Sequence, residues 1–99
     1  MDTLQGRLTP KAAVEAGFKE FRGLFAGQRA THVLLEGLEL YADDDLWRVV
    51  IGFDTGRSKE TGGAFALHGI GQRTVEPIRE LRVILIDAKT GALVRMEGV

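Results

Sequence analysis

Three consecutive aspartates, Asp43, Asp44 and Asp45, form the densest group of potential metal ligands in the sequence. Carboxylate oxygens are the ligands that Ca²⁺ and Mg²⁺ prefer. Consecutive aspartates in a turn point in divergent directions, however, and the spaced ligands, central glycine and final glutamate of an EF-hand are missing. The pattern therefore favours a solvated hairpin turn, and we predict neither a metal site nor a cofactor.

Ser58, the only serine, suggests a Ser-His-Asp triad together with His68 and Asp54. A working triad needs its base and its orienting acid on a rigid frame beside an oxyanion hole, whereas these three residues come from one glycine-rich stretch. The G-x-S-x-G turn of many hydrolases is also missing. His32 and His68 would need a third ligand to hold zinc, and the spacing supplies none. We therefore predict no catalytic residue and no enzyme.

Arginines near a glycine pair are the remaining chemical candidates. Gly69-Ile70-Gly71 is half of a phosphate-loop signature, without the third glycine or the following Lys-Ser/Thr pair. Arg73, Arg79 and Arg82 follow, with glutamates interleaved, and Arg79 and Arg82 should face opposite sides of a strand. The formal net charge of −1, from 13 basic and 14 acidic residues, gives no field that would attract nucleic acid. We predict no nucleic-acid partner.

Length and composition indicate one domain spanning residues 1–99, which is large enough to bury a core without covalent staples. The sequence has no cysteine, so disulfides and thiolate metal sites are excluded. The N-terminal residues have no uninterrupted apolar stretch typical of a secretory signal, and no run of eighteen apolar residues predicts a membrane span. If Met1 is the native start, we expect a cytoplasmic protein.

An amphipathic helix is predicted over residues 10–26. Thr9 is suited to the N-cap and Pro10 to the first helical turn, where its missing N–H costs nothing. Apolar residues then recur at helical spacing, which predicts a stripe that packs on a sheet, and Gly27 is suited to end the helix. The stripe comprises Val14, Phe18, Phe21 and Phe25, with Ala13, Gly17 and Leu24 beside it.

Two strands are predicted over residues 31–41 and 46–54. The first changes phase, because its early apolar residues are odd-numbered and its later ones even-numbered, with Gly37 at the change. A β-bulge at Gly37 would return both sets to one face, and a kink without a bulge is the alternative. The second strand alternates cleanly, and its apolar face should meet the helix: Trp47, Val49, Ile51 and Phe53.

The C-terminal half is predicted as a glycine-rich loop over residues 55–74 and two strands over 75–86 and 92–97. Asp87 opens the turn between these strands by accepting backbone N–H groups, and Gly91 closes it in the left-handed region. The fold is therefore α+β, with one N-terminal helix on a four-stranded antiparallel meander. The third strand is apolar on both sides, so its outer side should lie under the loop or meet another subunit, burying Ile84 and Ile86.

The order of elements resembles that of PepSY-type domains and, more loosely, cystatin-like one-helix sheets. The residues that carry the resemblance are the W-x-V-x-I-x-F strand beginning at Trp47 and the I-D-A-K-T-G-x-L-V hairpin over 86–94. PepSY domains occur in peptidase propeptides and in secreted or membrane-attached bacterial proteins, where they regulate peptidases or act as local binding units. The resemblance implies a non-catalytic module in which Trp47, Asp87 and Gly91 determine the fold.

The sequence therefore favours a binding or regulatory module that recognises protein or peptide. Its surface for that purpose is the sheet face, an open strand edge or the glycine-rich loop. A structural homodimer or larger homo-oligomer assembled through the outer sheet face is the alternative. An enzyme with an unrecognised site ranks behind both, because no acid, base and nucleophile cluster in the sequence.

Overall fold

The computed structural model describes residues 3–27, 30–61 and 74–98, and at 58–61 and 74–77 it describes the backbone alone. One N-terminal helix packs on a four-stranded antiparallel sheet, so the predicted α+β architecture is confirmed. The elements in chain order are β1 (Thr3–Leu4), β2 (Arg7–Leu8), α1 (Pro10–Leu24), β3 (Thr31–Tyr41), a 3₁₀ turn (Ala42–Asp44), β4 (Leu46–Thr61), β5 (Thr74–Asp87) and β6 (Leu93–Gly98).

The start of α1 is built as its sequence predicts. The Thr9 hydroxyl accepts a hydrogen bond of 3.2 Å from the Ala12 N–H, which satisfies one of the free donors of the first turn. The helix ends at Leu24, two residues before the predicted end. The Phe25 N–H makes the closing bond to the Phe21 carbonyl at 3.0 Å, and the chain then turns through Gly27 at φ +81°.

The centre of the buried helix face is formed by small residues as well as by aromatic ones. Ala13, Gly17 and Phe21 lie one turn apart and are buried. A Cβ on Gly17 would lie 2.8 Å from Cγ1 of Val49, so the helix backbone crosses the sheet at very close range. Phe18, Phe21 and Phe25 pack in the core as predicted, but Val14 does not. The predicted stripe is therefore displaced toward Ala13 and Gly17.

The sheet has the strand order β3-β4-β5-β6, as the predicted meander requires. The predicted helix-facing residues of β4 all belong to the core under α1: Trp47, Val49, Ile51 and Phe53. The turn between β5 and β6 also forms as predicted. One carboxylate oxygen of Asp87 accepts the N–H groups of Lys89 and Thr90 at 2.8 and 3.0 Å, and Gly91 has φ +80°.

The β-bulge predicted in β3 is present. Leu35 pairs with Ile51 and Gly37 pairs with Val50, so Glu36 is an additional residue in the ladder. Because directly opposite residues of an antiparallel pair share a face, Leu35 lies on the helix side with Ile51. The later leucines also lie on that side, since Leu38 pairs with Val49 and Leu40 with Trp47.

The predicted loop over 55–74 is wrong at its N-terminal end, whereas its C-terminal end agrees with the start of β5 to within one residue. Strand β4 continues to Thr61 and β5 begins at Thr74, and their backbones pair from Ser58 opposite Pro77 to Thr61 opposite Thr74. A register shift between Asp54 and Ser58 absorbs Gly56 at φ +82°, so the glycine that suggested a loop marks an irregularity within a strand. The rest of the predicted loop, residues 62–73, lies outside the described residues.

The prediction that β5 is apolar on both sides is confirmed, but the assignment of its faces is wrong. Ile84 and Ile86 are fully buried on the helix side, whereas Val83 and Leu85 form a second cluster with Val50 on the outer side. The strand pairing fixes this arrangement, because Ile84 lies opposite the helix-facing Val49.

A short hairpin formed by β1 and β2, which the sequence does not predict, precedes the helix. It turns through Gln5 at φ +55° and Gly6 at φ +79°, the positive angles of a two-residue hairpin turn. The hairpin is anchored to the end of the sheet, since the Leu8 N–H donates to the Ala88 carbonyl at 2.6 Å and the Trp47 indole N–H donates to the Leu8 carbonyl at 3.1 Å.

Candidate functional site

The edge strand β3 carries the most complete candidate binding surface. In the part of the chain that the structure describes, β3 pairs with β4 alone, so one row of its backbone groups faces away from the sheet. The direction of each group follows from the ladder. The Ala88 N–H bonds the Asp45 carbonyl, and the alternation of antiparallel pairs then directs the N–H and C=O groups of Leu38 and Leu40 outward.

An apolar cleft lies beside this edge. It has a volume of about 230 Å³ and separates the β1–β2 hairpin from the end of β3. Leu4 contributes one wall and is 67% exposed, whereas Leu8 and Trp47 are buried beneath it. Residues on five elements, β1, β2, α1, β3 and β4, thus line one apolar space next to the edge. The lining is Leu4, Gln5, Arg7, Leu8, Thr9, Pro10, Leu40 and Trp47.

Polar contacts of Arg7 join the β1–β2 hairpin to the turn that follows β3. The Arg7 guanidinium donates to the Asp45 carboxylate at 2.7 Å and to the Ala42 carbonyl at 3.0 Å. This hydrogen bond from Arg7 is the main reason that the pKa of Asp45 is lower than its usual value. Together with the indole bond of Trp47 to the Leu8 carbonyl, these contacts fix the hairpin relative to the end of β3.

The edge and its turn are rich in acidic groups. Residues 30–45 contain five carboxylates and no lysine or arginine. Asp45 is paired with Arg7 and Glu36 with Arg79, but Glu39, Asp43 and Asp44 are exposed and form no ion pair with another described residue. Partial burial and the neighbouring Glu39 carboxylate raise the pKa of the Tyr41 phenol above its usual value.

The opposite edge, β6, is less suited to pairing. It has six residues, and a register shift interrupts it where Leu85 pairs with Arg95 but Ile86 pairs with Leu93. Arg95 and Glu97 form an exposed ion pair of 2.6 Å along it. Short length, a bulge and charged side chains are the usual features that protect an edge from strand addition. The end of β3 from Leu38 to Tyr41, by contrast, pairs without a register shift. We call it the regular end, and the backbone groups of Leu38 and Leu40 face outward there.

A polar cluster lies on the outer face of the sheet, at the other end of β3. Arg79 donates to the Asp54 carboxylate at 2.7 Å and to the Glu36 carboxylate at 3.2 Å. The side chain of His32, whose backbone has φ +51°, lies with Nδ1 at 3.0 Å from the second Asp54 oxygen. Gly52 leaves room for this cluster, because a Cβ there would lie 2.7 Å from a Glu36 oxygen.

The structure describes only part of the residues considered for triad and metal chemistry. Asp54 is engaged by Arg79 and His32, the side chain of Ser58 is not described, and His68 lies outside the described residues. Among the described residues, no group of three His, Cys, Asp or Glu side chains is arranged to hold a metal ion. Residues 69–71 and Arg73 also lie outside the described part.

The two described arginines of β5 lie on opposite faces, as predicted. Arg79 belongs to the outer cluster, while the guanidinium of Arg82 lies on the helix side, 5.7 and 5.6 Å from the ring centres of Phe25 and Phe53. Arg82 also pairs with Glu80 at 2.7 Å. These contacts join α1, β4 and β5, so Arg82 has a structural role in the core.

Comparisons with known proteins gave no match. No protein-family model fits the sequence, and no curated protein or solved structure is similar to the chain at a significant level. No helix among the described residues is both long and apolar enough to cross a bilayer.

Proposed function

We propose that the chain is a small non-catalytic binding module that recognises an extended segment of a protein or peptide by strand addition at β3. The recognition follows a known mode, in which backbone hydrogen bonds supply affinity and side-chain pockets supply specificity. The observation that carries the proposal is the coincidence of an outward backbone row at Leu38 and Leu40 with an apolar cleft beside Leu40.

The register determines how a partner strand would fit. A partner residue opposite Leu40 shares the face of Leu40, and its side chain therefore lies on the cleft side of the sheet. Its neighbours along the partner strand lie opposite Glu39 and Tyr41 and have their side chains on the outer face. A partner thus meets an apolar pocket at one position and a polar face at the two positions beside it.

The order of the elements, the Trp47 strand and the Asp87 turn support a PepSY-like type for this module. The resemblance extends the proposal to a peptidase as one class of partner. The proposal assigns no reacting group.

The alternative function, a homo-oligomer assembled through the outer sheet face, has weaker support. The outer apolar residues Val50, Val83 and Leu85 are only 7%, 6% and 3% exposed in the single chain. Cross-strand neighbours of Leu85 are Arg48 and Arg95, and the aliphatic stems of arginine can cover apolar surface. These three residues therefore leave little apolar area for a second copy to bury.

Two variants at one position test strand addition. Peptides are selected from a random display library on the wild-type chain, and their affinities are then measured against Leu38→Pro and Leu38→Ala. Both substitutions remove the leucine side chain, but only proline removes the outward N–H. Gly37 precedes this position and tolerates a following proline better than a residue with a Cβ does.

We expect the selected peptides to bind Leu38→Pro at least about tenfold more weakly than Leu38→Ala, the loss of roughly one backbone hydrogen bond together with a steric block. Thermal unfolding of both variants is the control for folding. Equal affinity for the two variants, or a library that yields no binder, would contradict strand addition at β3.

A further inference from the structure

The charges around β3 identify the chemistry of the segment that fits there. Glu39 lies on the outer face of the regular end of β3, and Asp43 and Asp44 follow in the turn. All three are exposed and form no ion pair with another described residue. A partner strand that pairs with Leu38 to Tyr41 places outer-face side chains beside Glu39 and its end near the two aspartates.

The cleft side of the same edge is apolar. Leu38 and Leu40 both have their side chains on that side, and the cleft beyond Leu40 is walled by Leu4 and Leu8. Since successive residues of a strand alternate between faces, the partner alternates as well. We propose that the partner is an extended peptide segment in which apolar residues alternate with lysine or arginine. This inference rests on the proposed strand addition and specifies its ligand.

A second copy of the chain does not satisfy this requirement. If two β3 edges paired antiparallel about Glu39, the Glu39 carboxylate of one copy would lie opposite that of the other. Like charges opposite one another destabilise a pair of strands, whereas opposite charges stabilise it. The Glu39 carboxylate that attracts a basic segment therefore opposes this pairing of β3 with itself.

The test uses two synthetic peptides of about eight residues, the usual length of a paired strand. One alternates valine with lysine and the other alternates valine with glutamate. Their affinities are measured with wild type, Glu39→Lys and Glu15→Lys. The last variant is a matched control, because it makes the same charge change at an exposed residue of α1, away from β3.

We expect the lysine peptide to bind wild type about tenfold more tightly than the glutamate peptide, which corresponds to two or three exposed ion pairs. Glu39→Lys should reduce or reverse this preference, and Glu15→Lys should leave it nearly intact. Added salt should weaken binding of the lysine peptide, because the Debye length falls from about 10 Å at 0.1 M to about 3 Å at 1 M.

The failures of the two proposals can be told apart. Equal binding of both peptides, or equal effects of Glu39→Lys and Glu15→Lys, overturns the charge preference but leaves strand addition to the comparison of Leu38→Pro with Leu38→Ala. If neither peptide binds while a library peptide does, the charge preference alone is overturned. If no peptide binds at all, strand addition fails and the charge preference fails with it.

Discussion

At the scale of single residues, two glycines of α1 have opposite roles. Gly17 is in close contact with Val49, and an added Cβ would lie 2.8 Å from Cγ1 and 3.0 Å from Cβ of that fully buried valine. Gly23 has no heavy atom within 4 Å of an added Cβ. The helix therefore needs glycine for close packing at the first position but not at the second.

We predict that Gly17→Ala destabilises the protein by about 0.5–2 kcal/mol, because overpacking costs about 1–3 kcal/mol and exceeds the gain in helix propensity. Gly23→Ala is the control and should stabilise it by about 0.5–1 kcal/mol. Urea unfolding of the two variants measures both changes. Stabilisation by Gly17→Ala would show that the helix does not cross the sheet at this distance.

The pKa of Asp87 determines one part of the pH dependence of stability. The N–H groups of Lys89, first, and of Thr90 lower the pKa of this carboxyl below its usual value. The unfolded chain then binds more protons than the folded one near pH 4. The stabilisation is complete above the unfolded pKa and is lost as the pH falls through the lower folded pKa.

We predict that Asp87→Asn reduces this loss, since the asparagine oxygen accepts the same two N–H groups and does not titrate. Urea unfolding between about pH 5 and pH 2 measures the difference, with Asp43→Asn as the matched control in an exposed turn. A pH dependence that Asp87→Asn leaves unchanged would contradict the role of this turn.

Caps and turns formed by residues close together in the sequence could be predicted. The Thr9 cap, the Asp87 turn and the left-handed Gly91 each follow from neighbouring residues. The cluster around Asp54 could not be predicted, because Arg79 and His32 reach it only through the pairing of three strands. The sequence shows only that Asp54 and Arg79 alternate with apolar residues along their strands. This alternation predicts the sheet face of each side chain but not the residue that it contacts.

At the scale of elements, the bulge in β3 determines which leucines lie on the helix side of the sheet. Glu36 is the additional residue, so Leu35 and Leu38 both lie on the helix side. Deletion of Glu36 leaves Leu35, Gly37 and Leu38 in regular alternation and keeps every side chain on its face. Deletion of Glu39 makes Leu38 and Leu40 adjacent and drives Leu40 to the opposite face.

We predict that deletion of Glu36 costs about 0–1 kcal/mol, the value of its exposed ion pair with Arg79. Deletion of Glu39 should cost about 2–5 kcal/mol, as expected when a leucine leaves the core. Thermal and urea unfolding compare the two deletions. If both deletions were equally harmful, the assigned bulge would be wrong.

Element lengths were harder to predict where glycine interrupts a strand. Gly37 and Gly56 both mark irregular pairing. The sequence predicts a bulge only at Gly37, because apolar residues continue on each side of it. Polar residues flank Gly56, so the sequence favoured a loop there. The edge at Leu38 and Leu40 was equally hidden, because sequence does not show which strand lies at the border of the sheet.

At the scale of the whole molecule, the centre of the outer sheet face is buried within one chain. Val83 and Leu85 are buried there although α1 covers the other side. We predict a monomer at high micromolar concentration, as measured by light scattering. A stable dimer would favour the alternative function, and Val83→Lys would then separate its subunits if the outer face is the interface.

The β1–β2 hairpin shows why the site was missed at this scale. Its strands have two residues each and carry no periodic signal, and only Gly6 between two leucines indicated a turn. The hairpin forms one wall of the cleft because distant residues anchor it, among them Trp47, whose indole bonds the Leu8 carbonyl 39 positions away. Contacts of this range depend on the completed fold.

Amide hydrogen exchange, measured residue by residue with NMR, tests strand addition at β3 most directly. In the free protein the Leu38 and Leu40 amides should exchange rapidly, whereas those of Glu39 and Tyr41, which face β4, should be protected. Saturation with a peptide from the display library should slow exchange at Leu38 and Leu40. Unchanged exchange at both amides while the peptide is bound would contradict the account.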